Sequence, residues 1–500
     1  MLAWTIYLSF LGAVAVTFTP AKGPAVARLT ALLTGLAGLG IAIVAVLQNR
    51  SGQLITIVRT PWIPQLGIEY HLAADGISLT LVLLTGIAAV AGILFSWNVE
   101  RRVKDFFALY LVLIGAVYGV FLSFDLFQLF VFYEIAIIPK YFLIAIWGST
   151  RREYAAMKLV LYSFAGSALV LGGMAAAYVA AGQRTLNLEA LAHFPFPAHF
   201  QMWAFPMVFV GFAVLAGMWP FHTWAPTGHA AAPTAASMLL AGVVMKLGAY
   251  GCLRVAMMLF PRGLDPWGFH VLGFGSWKQV FAVLALIGIV YGATIALVQK
   301  DLKFVVGYSS VSHMGFVLLG LMTLNQIGLS GAVYQMFSHG IIAGLLFAVV
   351  GRMVYDRTHT RDLAELSRIP LARLIPFAAV TFVLAFMASV GLPGFSGFIA
   401  ELQVLIGSWR AFPWMCCVAG LGILIGIAFS WRALQATFFG GAEETTEHAM
   451  PPITMPERLG ACLLLGSTIV LGLYPRLLMD LILPGLNGPL FEQLRQGAWR

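Results

Sequence analysis

The sequence predicts an all-α polytopic membrane protein with about 14 transmembrane helices. Of its 500 residues, 60% are hydrophobic and only 10% are charged, whereas a soluble domain carries about 25% charged residues. Apolar runs of the roughly 20 residues that cross a bilayer recur along the whole chain. Their centres lie near residues 11, 38, 88, 115, 137, 168, 211, 243, 289, 314, 341, 388, 423 and 468.

Two interrupted spans indicate an internal repeat. Span 7 runs into "AGMWPFHTWAP" and span 12 contains "VGLPGFSGF", so Gly and Pro break an apolar run at matching places. Paired breaks of this kind predict two inverted five-helix repeats, spans 4–8 and spans 9–13, with broken helices 7 and 12. The predicted regions are 1–100 (spans 1–3 with an outward hairpin at 51–78), 101–262 (first repeat), 279–436 (second repeat) and 437–500 (cytoplasmic loop, span 14 and outward C-terminal tail).

The basic residues predict the orientation of the spans. The loops after odd-numbered spans hold 17 of the 29 lysines and arginines, the opposite side holds 10, and Lys140 and Lys246 lie inside spans. Because the side richer in basic residues faces the cytoplasm, both termini are expected on the outer side. The net charge of +9 therefore reflects membrane orientation, and no nucleic-acid partner is expected.

No cofactor or metal site is predicted on this chain. The four cysteines form no CxxC pair, which argues against iron–sulfur ligation. The sequence "GLAGLG" at residues 35–40 lies in the middle of a span. Because no strand precedes it, it is not interpreted as a dinucleotide-binding loop.

Several ionisable residues lie within the apolar spans. A charged side chain at the centre of a bilayer costs about 2.5–3.5 kcal/mol on insertion scales, so it usually faces a bundle interior or a file of water. Candidate functional residues of this kind are Glu134, Lys140, Lys246, Glu401, His313, His339 and His222. Because acids, lysines and histidines occur at similar depth on separate helices, together they predict a proton relay.

A purely structural role remains an alternative for some of these residues. Lys140 lies close enough to the end of its span for its ammonium group to reach the lipid headgroups. A membrane histidine such as His313 can simply hydrogen-bond a neighbouring helix. Glu134 and Lys140 are six residues apart, which places them about 120° apart around a helix, so we expect them to face different partners.

Five segments carry a resemblance to a known family. They are "FYEIAIIPKYFLIAIWG", "HTWAPTGHAAAPTAASMLLAGVVMKLGAYG", "DLKFVVGYSSVSHMGFVLLG", "HGIIAGLLFAVVGRMVYDRTHTRD" and "GLPGFSGFIAEL". They closely resemble the antiporter-like subunit M of bacterial NADH:quinone oxidoreductase, respiratory complex I, the counterpart of mitochondrial subunit 4. The resemblance extends from about residue 70 to about residue 435.

The resemblance implies a proton-translocating translocase subunit, without a redox centre of its own, in the bacterial inner membrane. By motif position Glu134 matches the gating glutamate, Lys246 the central lysine, His313 and His339 the connecting histidines, and Glu401 the terminal acid. The resemblance also implies L- and N-type antiporter-like neighbours, J- and K-type small subunits, and lipids as partners. Partner subunits are expected to carry FMN, iron–sulfur clusters and quinone.

One position departs from the family pattern. The family has a lysine seven residues before the histidine of "HTW", but this chain has Leu215 there, while Lys140 stands where relatives have an uncharged residue. We hypothesise that Lys140 replaces the missing charge from another helix. The alternatives are a subunit with altered or lost pumping, such as an extra M-type scaffold, or a subunit of a multi-subunit sodium/proton antiporter or membrane-bound hydrogenase.

Overall fold

A computed structural model describes residues 1–20, 24–266, 273–440 and 450–498, and within them the protein is a helical bundle. The main helices are α1 (Ala3–Thr17), α2 (Pro24–Gln48), α3 (Gly76–Phe95), α4 (Val103–Leu122), α5 (Leu126–Trp147), α6 (Arg152–Ala180), α7 (Ala198–Ala231), α8 (Thr234–Met257), α9 (Trp277–Val298), α10 (Leu302–Met322), α11 (Gln326–Thr358), α12 (Pro376–Ser389), α13 (Ser396–Ala411), α14 (Pro413–Phe438), α15 (Met455–Leu473) and α16 (Arg476–Asn487). Short helices span Leu188–Ala192, Leu363–Leu366, Leu371–Leu374 and Glu492–Ala498.

The predicted all-α membrane class is confirmed. Twelve helices of the described ranges are long and apolar enough to cross a membrane, and α1 and α12 are shorter apolar helices. The count of 14 spans and the inverted repeats stay predictions. Part of the loop predicted within 437–500, residues 441–449, lies outside the described residues.

The segment predicted as a hairpin contains two antiparallel strands, β1 (Ile55–Ile63) and β2 (Ile68–Ala74). Gly67 adopts a φ of 64° between them, a conformation that favours glycine. The hairpin ends before residue 78, because the Asp75 carboxylate accepts a hydrogen bond from the Ser78 amide at 2.9 Å and thereby starts α3 at Gly76.

Both predicted helix breaks are present. The first segment of α7 ends at Ala216, Gly217 has a φ of 78°, and α7 resumes after a 3₁₀ turn. The second break separates α12 from α13, with Gly391 at φ 72° and Gly394 at φ 101°. Glycine adopts these left-handed conformations without strain, so each helix breaks at a position where the sequence has a glycine.

The two halves share a capping arrangement. Asp125 caps α5 and forms an isolated β-bridge with Asn187, which itself caps a short helix. Asp301 caps α10 and forms the same kind of bridge with Asp362, which caps another short helix. The same local solution to the unpaired amides at a helix start therefore occurs once in each half.

The centre of the bundle is formed by α3, α8 and α11. The most apolar windows of α8 and α11 are entirely buried inside the protein, and that of α3 is 94% buried. By contrast, α14 and α2 bury only 28% and 39% of theirs and expose apolar faces. Side chains on α8 and α11 are therefore far from lipid, which is where buried ionisable groups are tolerated.

Candidate functional site

Lys246 lies at the middle of α8 and is completely buried. Its ammonium group donates a hydrogen bond to the Ala241 carbonyl, and its Nζ lies 2.9 Å from Nδ1 of His339 on α11. Ala241 belongs to a π-helical turn, Leu240–Val244. Such turns often occur at functional sites, and here the turn supplies the carbonyl that holds the lysine.

His339 and His313 continue the contact from α11 to α10. Their ring centroids are 5.3 Å apart and the rings are inclined by 32°. Because Nδ1 of His339 accepts from the Lys246 ammonium, its Nε2 carries the proton in the neutral ring. That Nε2 has no hydrogen-bond partner among the described residues, so it is free to transfer a proton.

His313 connects to Glu401 on α13. Its Nδ1 lies 3.2 Å from Glu401 Oε1, and its Nε2 lies 3.1 Å from Ser389 Oγ at the end of α12. The break between α12 and α13 brings both side chains to this histidine. Lys246, His339, His313 and Glu401, which we call the central chain, therefore lie in consecutive contact across four helices.

A small cavity borders the central chain. It measures about 10 Å³, which is about the space for one water molecule. Its polar lining residues are His313, Gln335, Ser338, His339, Ser389 and Glu401. A water molecule there has imidazole, hydroxyl, amide and carboxyl groups as partners, so the site is polar enough to hold it.

Glu134 and Lys140 form a separate site on α5. Lys140 is 1% exposed and buried in protein, which contradicts the alternative that its ammonium group reaches the lipid headgroups. Helix α5 is interrupted at Ala136 between the two residues, and their charges interact, although they do not form an ion pair within 4 Å in the described structure. Glu134 interacts instead with Ser167 of α6, so the expectation that the two residues face different partners stays a prediction.

One carboxylate oxygen and the ammonium nitrogen of this site have no partner among the described residues. Glu134 Oε1 and Lys140 Nζ are buried and make no hydrogen bond with any described residue. A buried polar group without a partner is costly unless a proton or water moves there. Leu215, at the position where the family has a lysine, is buried and apolar, which leaves Lys140 as the cation whose charge acts on Glu134.

His222 is buried at the break of α7, away from the central chain. Its ring packs edge-on against Tyr291 at 5.1 Å and lies 6.4 Å from Tyr308. Lys158 acts on it electrostatically and lies with its Nζ 3.4 Å from Thr227 Oγ1. The structure thus places this predicted residue in an aromatic pocket rather than in the relay.

His229 and Lys303 were not among the predicted site residues; His229 interacts electrostatically with the central chain, and Lys303 interacts with His229. His229 is fully buried against Phe347, has two unpartnered ring nitrogens within the described structure, and interacts electrostatically with both Lys246 and Lys303. Lys303 Nζ donates to the Ala232 carbonyl at 3.0 Å. The sequence feature that could have identified this site is His229, the last residue of the "HTWAPTGH" motif.

Three basic residues that hydropathy assigns to loops lie in helices, where Lys303 and Arg254 are buried and Arg352 is half-buried. Lys303 is in the first turn of α10, because Asp301 caps that helix and the helix begins at Leu302. Arg254 is in the last turn of α8, where its Nη2 pairs with Asp75 Oδ2 at 2.6 Å. Arg352, in α11, pairs with the buried Glu457 at 2.6 Å. Hydropathy alone misplaced them because they lie near span ends.

A larger cavity opens on one face of the bundle and borders Lys303. It has a volume of about 280 Å³. Its ionisable lining residues are Glu100, Arg101, Lys303, Arg352, Tyr355 and Asp356. Lys303 lines this cavity, and its charge acts on His229, as does the charge of Lys246. The cavity lies on the face where the sequence predicts the loops that follow odd-numbered spans.

A polytopic bundle with two broken helices and a buried chain of lysine, histidines and carboxylate defines a class of ion-translocating membrane subunits. Residues 123–426 match the family described as "NADH:quinone oxidoreductase/Mrp antiporter, TM". The chain belongs to this family, within the subunit M group of NADH:quinone oxidoreductases. The resemblance seen in the sequence is confirmed.

Individual relatives cover most of the chain. NADH-quinone oxidoreductase subunit M of Rhodobacter capsulatus is 38% identical over 438 residues, 85% of this chain and 82% of that protein. Subunit M of Escherichia coli K12 is 34% identical over 96% of both chains. A chain of respiratory complex I from Thermus thermophilus with bound NADH superposes with a TM-score of 0.86 at 26% identity, covering 97% of this chain and 99% of that one.

Proposed function

We propose that the chain is a proton-translocating membrane-arm subunit of NADH:quinone oxidoreductase and moves protons along the central chain. The observation that carries the proposal is the unbroken series of contacts, 2.9 Å from Lys246 to His339, 5.3 Å between the two imidazole centroids, and 3.2 Å from His313 to Glu401. Proton transfer requires donor and acceptor within about 2.6–3.2 Å or one intervening water. The contacts and the cavity at the histidines satisfy this requirement.

The chemistry follows from the two nitrogens of imidazole. The Lys246 ammonium donates to Nδ1 of His339, which releases its other proton from Nε2 toward the cavity. His313 takes up a proton at Nε2 or Nδ1 and passes one to the Glu401 carboxylate. Each step leaves the donor neutral and the acceptor protonated, so one proton crosses from α8 to α13 and no electron is transferred.

Lys303 and His229 are proposed as the entry to this chain. The 280 Å³ cavity supplies access to Lys303 from the loop face, and His229 lies in electrostatic reach of both lysines. We assign this face to the cytoplasm of a bacterial cell, which places both termini on the periplasmic side. The excess of basic residues in the loops on that face supports the assignment.

Glu134 and Lys140 are proposed as the site that couples this subunit to a neighbour. Lys140 supplies the positive charge that position 215 lacks, and its burial supports this role because a desolvated charge interacts strongly. The neighbours are proposed to be L- and N-type antiporter-like subunits and J- and K-type small subunits. Redox energy reaches the chain from partners that carry FMN, iron–sulfur clusters and quinone, and this chain carries no cofactor.

The two five-helix regions, 101–262 and 279–436, are proposed as inverted repeats. The paired breaks and the paired capping bridges of Asp125 with Asn187 and of Asp301 with Asp362 support this division. In each half the bridge joins the start of one membrane helix to a short helix that follows the next one. The regions 1–100 and 437–500 then flank the repeats.

The test is Lys246→Met in the assembled complex, reconstituted in proteoliposomes. We expect quinone reduction to slow and the number of protons moved per electron to fall, because the lysine that donates to His339 is lost. Lys300→Met, which removes an exposed lysine, is the control and should leave the ratio unchanged. An unchanged ratio in Lys246→Met would instead identify the chain as a non-pumping spacer, the alternative that Leu215 favours.

A further inference from the structure

A groove away from the central chain joins the end of α2 to the start of α16. It has a volume of about 400 Å³ and combines apolar walls with charged groups. Its lining residues are Val46, Leu47, Arg50, Tyr474, Arg476, Leu477, Asp480 and Leu481. It lies on the face of the bundle that carries the β-hairpin, at the ends of two membrane helices.

Two arginines give the groove a positive charge. Arg50 and Arg476 form no ion pair within the described ranges, so both guanidinium groups are available to a ligand. With the Asp480 carboxylate, the lining carries two positive charges and one negative charge, a net charge of +1. Guanidinium groups present several N–H donors in a plane, which suits the paired oxygens of a phosphate.

The backbone segments that carry the two arginines are packed closely against each other. A Cβ on Gly52 would lie 2.4 Å from the Leu481 carbonyl oxygen, and one on Gly76 would lie 1.7 Å from the same atom. The Gly76 amide also donates to the Gly52 carbonyl at 2.9 Å. The loop that carries Arg50 is therefore seated directly on α16, whose first residue is Arg476.

An exposed apolar surface continues from the groove along both helices. It is made of side chains in the last turns of α2 and α15, and Leu473 is the most open of them, at 71% exposure. Its members are Ile43, Val44, Leu47, Val470 and Leu473. A ligand that matches both parts has an anionic head and long apolar chains.

We propose that this groove binds an anionic glycerophospholipid of the phosphatidylglycerol type. Its phosphate lies between the guanidinium groups of Arg50 and Arg476, its head-group hydroxyls reach Asp480, and its acyl chains lie along α2 and α15. The net charge of +1 complements the single negative charge of this lipid. A zwitterionic lipid leaves that charge uncompensated. The proposal does not depend on proton transport.

The test is native mass spectrometry of the full chain in detergent, titrated with dioleoyl phosphatidylglycerol. We expect one lipid to bind in preference to phosphatidylethanolamine and phosphatidylcholine. Each basic residue near a membrane surface contributes about 5-fold in affinity to an anionic lipid, so Arg50→Gln or Arg476→Gln should weaken binding about 5-fold and the double variant about 25-fold. Leu47→Trp, which fills the groove without changing charge, should also abolish the preference.

The matched control is the double variant Arg184→Gln and Arg410→Gln. It removes two exposed arginines that do not line the groove and changes the net charge equally, so it should shift the affinity less than 2-fold. Three results would overturn the proposal. They are wild-type affinity in the double variant Arg50→Gln with Arg476→Gln, preference for phosphatidylethanolamine over phosphatidylglycerol, or displacement of phosphatidylglycerol by inorganic phosphate at equal concentration. The last result identifies an anion site without a lipid.

Discussion

Substituting Asp75 tests how the interior of the bundle tolerates charge. Arg254 and Asp75 are 1% and 3% exposed and are joined at 2.6 Å, and the guanidinium also lies over the rings of Phe124, Tyr250 and Phe491 at 5.2–5.4 Å. Arginine does not lose its proton in proteins, so removing the carboxylate leaves a full buried charge. Breaking a buried pair by removing one partner costs about 3–5 kcal/mol.

The choice of variant separates the ion pair from the helix cap. Asp75 Oδ1 caps α3 and Oδ2 binds Arg254, so Asp75→Asn keeps the cap and loses the pair. We expect Asp75→Asn to lower the free energy of unfolding by about 3–5 kcal/mol, and Asp75→Ala to lower it by about 1 kcal/mol more. Arg254→Met should lower the free energy of unfolding by less, because a buried carboxyl group left without its cation can take up a proton.

The assay is unfolding of the full chain from detergent micelles by titration with sodium dodecyl sulfate. The double variant Asp75→Asn with Arg254→Met should recover most of the loss, since replacing both partners removes the unpaired charge. Arg59→Gln, which breaks an ion pair that is 49% exposed on the arginine side, is the control and should cost at most about 1 kcal/mol. An Asp75→Asn variant within 1 kcal/mol of wild type, or a double variant no better than it, would refute this reasoning.

Two further predictions concern the α5 site and the hairpin. Lys140→Met should lower the protons moved per electron in the reconstituted complex, whereas Lys140→Arg should retain the ratio; equal ratios in both variants would exclude a role for this charge. Burial lowers the pKa of His71, so a detached hairpin binds more protons than a docked one, and docking should weaken as pH falls through about 6.5. Hydrogen-exchange protection of β2 amides at pH 7.5 and 5.5 measures this. His71→Phe should remove the part that the imidazole contributes and leave the opposite contribution of Asp125, which accepts from the Glu69 amide of β2 and whose pKa burial raises to about 6.

Most of the architecture and part of the site follow from local sequence. The apolar runs predict the membrane helices, because a bilayer sets their length, and Gly217 and Gly391 lie at the breaks that the sequence predicts. Lys246 and Glu401 could be singled out individually, since a charge within an apolar run is expensive. Their burial, below 6% exposure, agrees with that reasoning.

The contacts among these residues could not be predicted in the same way. Lys246 and His339 are 93 positions apart, and whether their side chains meet depends on how α8 and α11 are rotated and packed. The same holds for Lys140, whose burial depends on how the second segment of α5 packs against its neighbours. Local hydropathy contains no information on helix rotation.

The sequence by itself determined the class of the protein, the approximate course of its helices and the ionisable residues that need protection from lipid. Only the tertiary structure decided that four of them lie in series, that Lys303 lines a cavity and acts electrostatically on His229, and that His222 packs against Tyr291 and Tyr308 instead. The physical reason is that the cost of a buried charge depends on the residue, whereas its compensation depends on which neighbour the packing brings within about 3 Å.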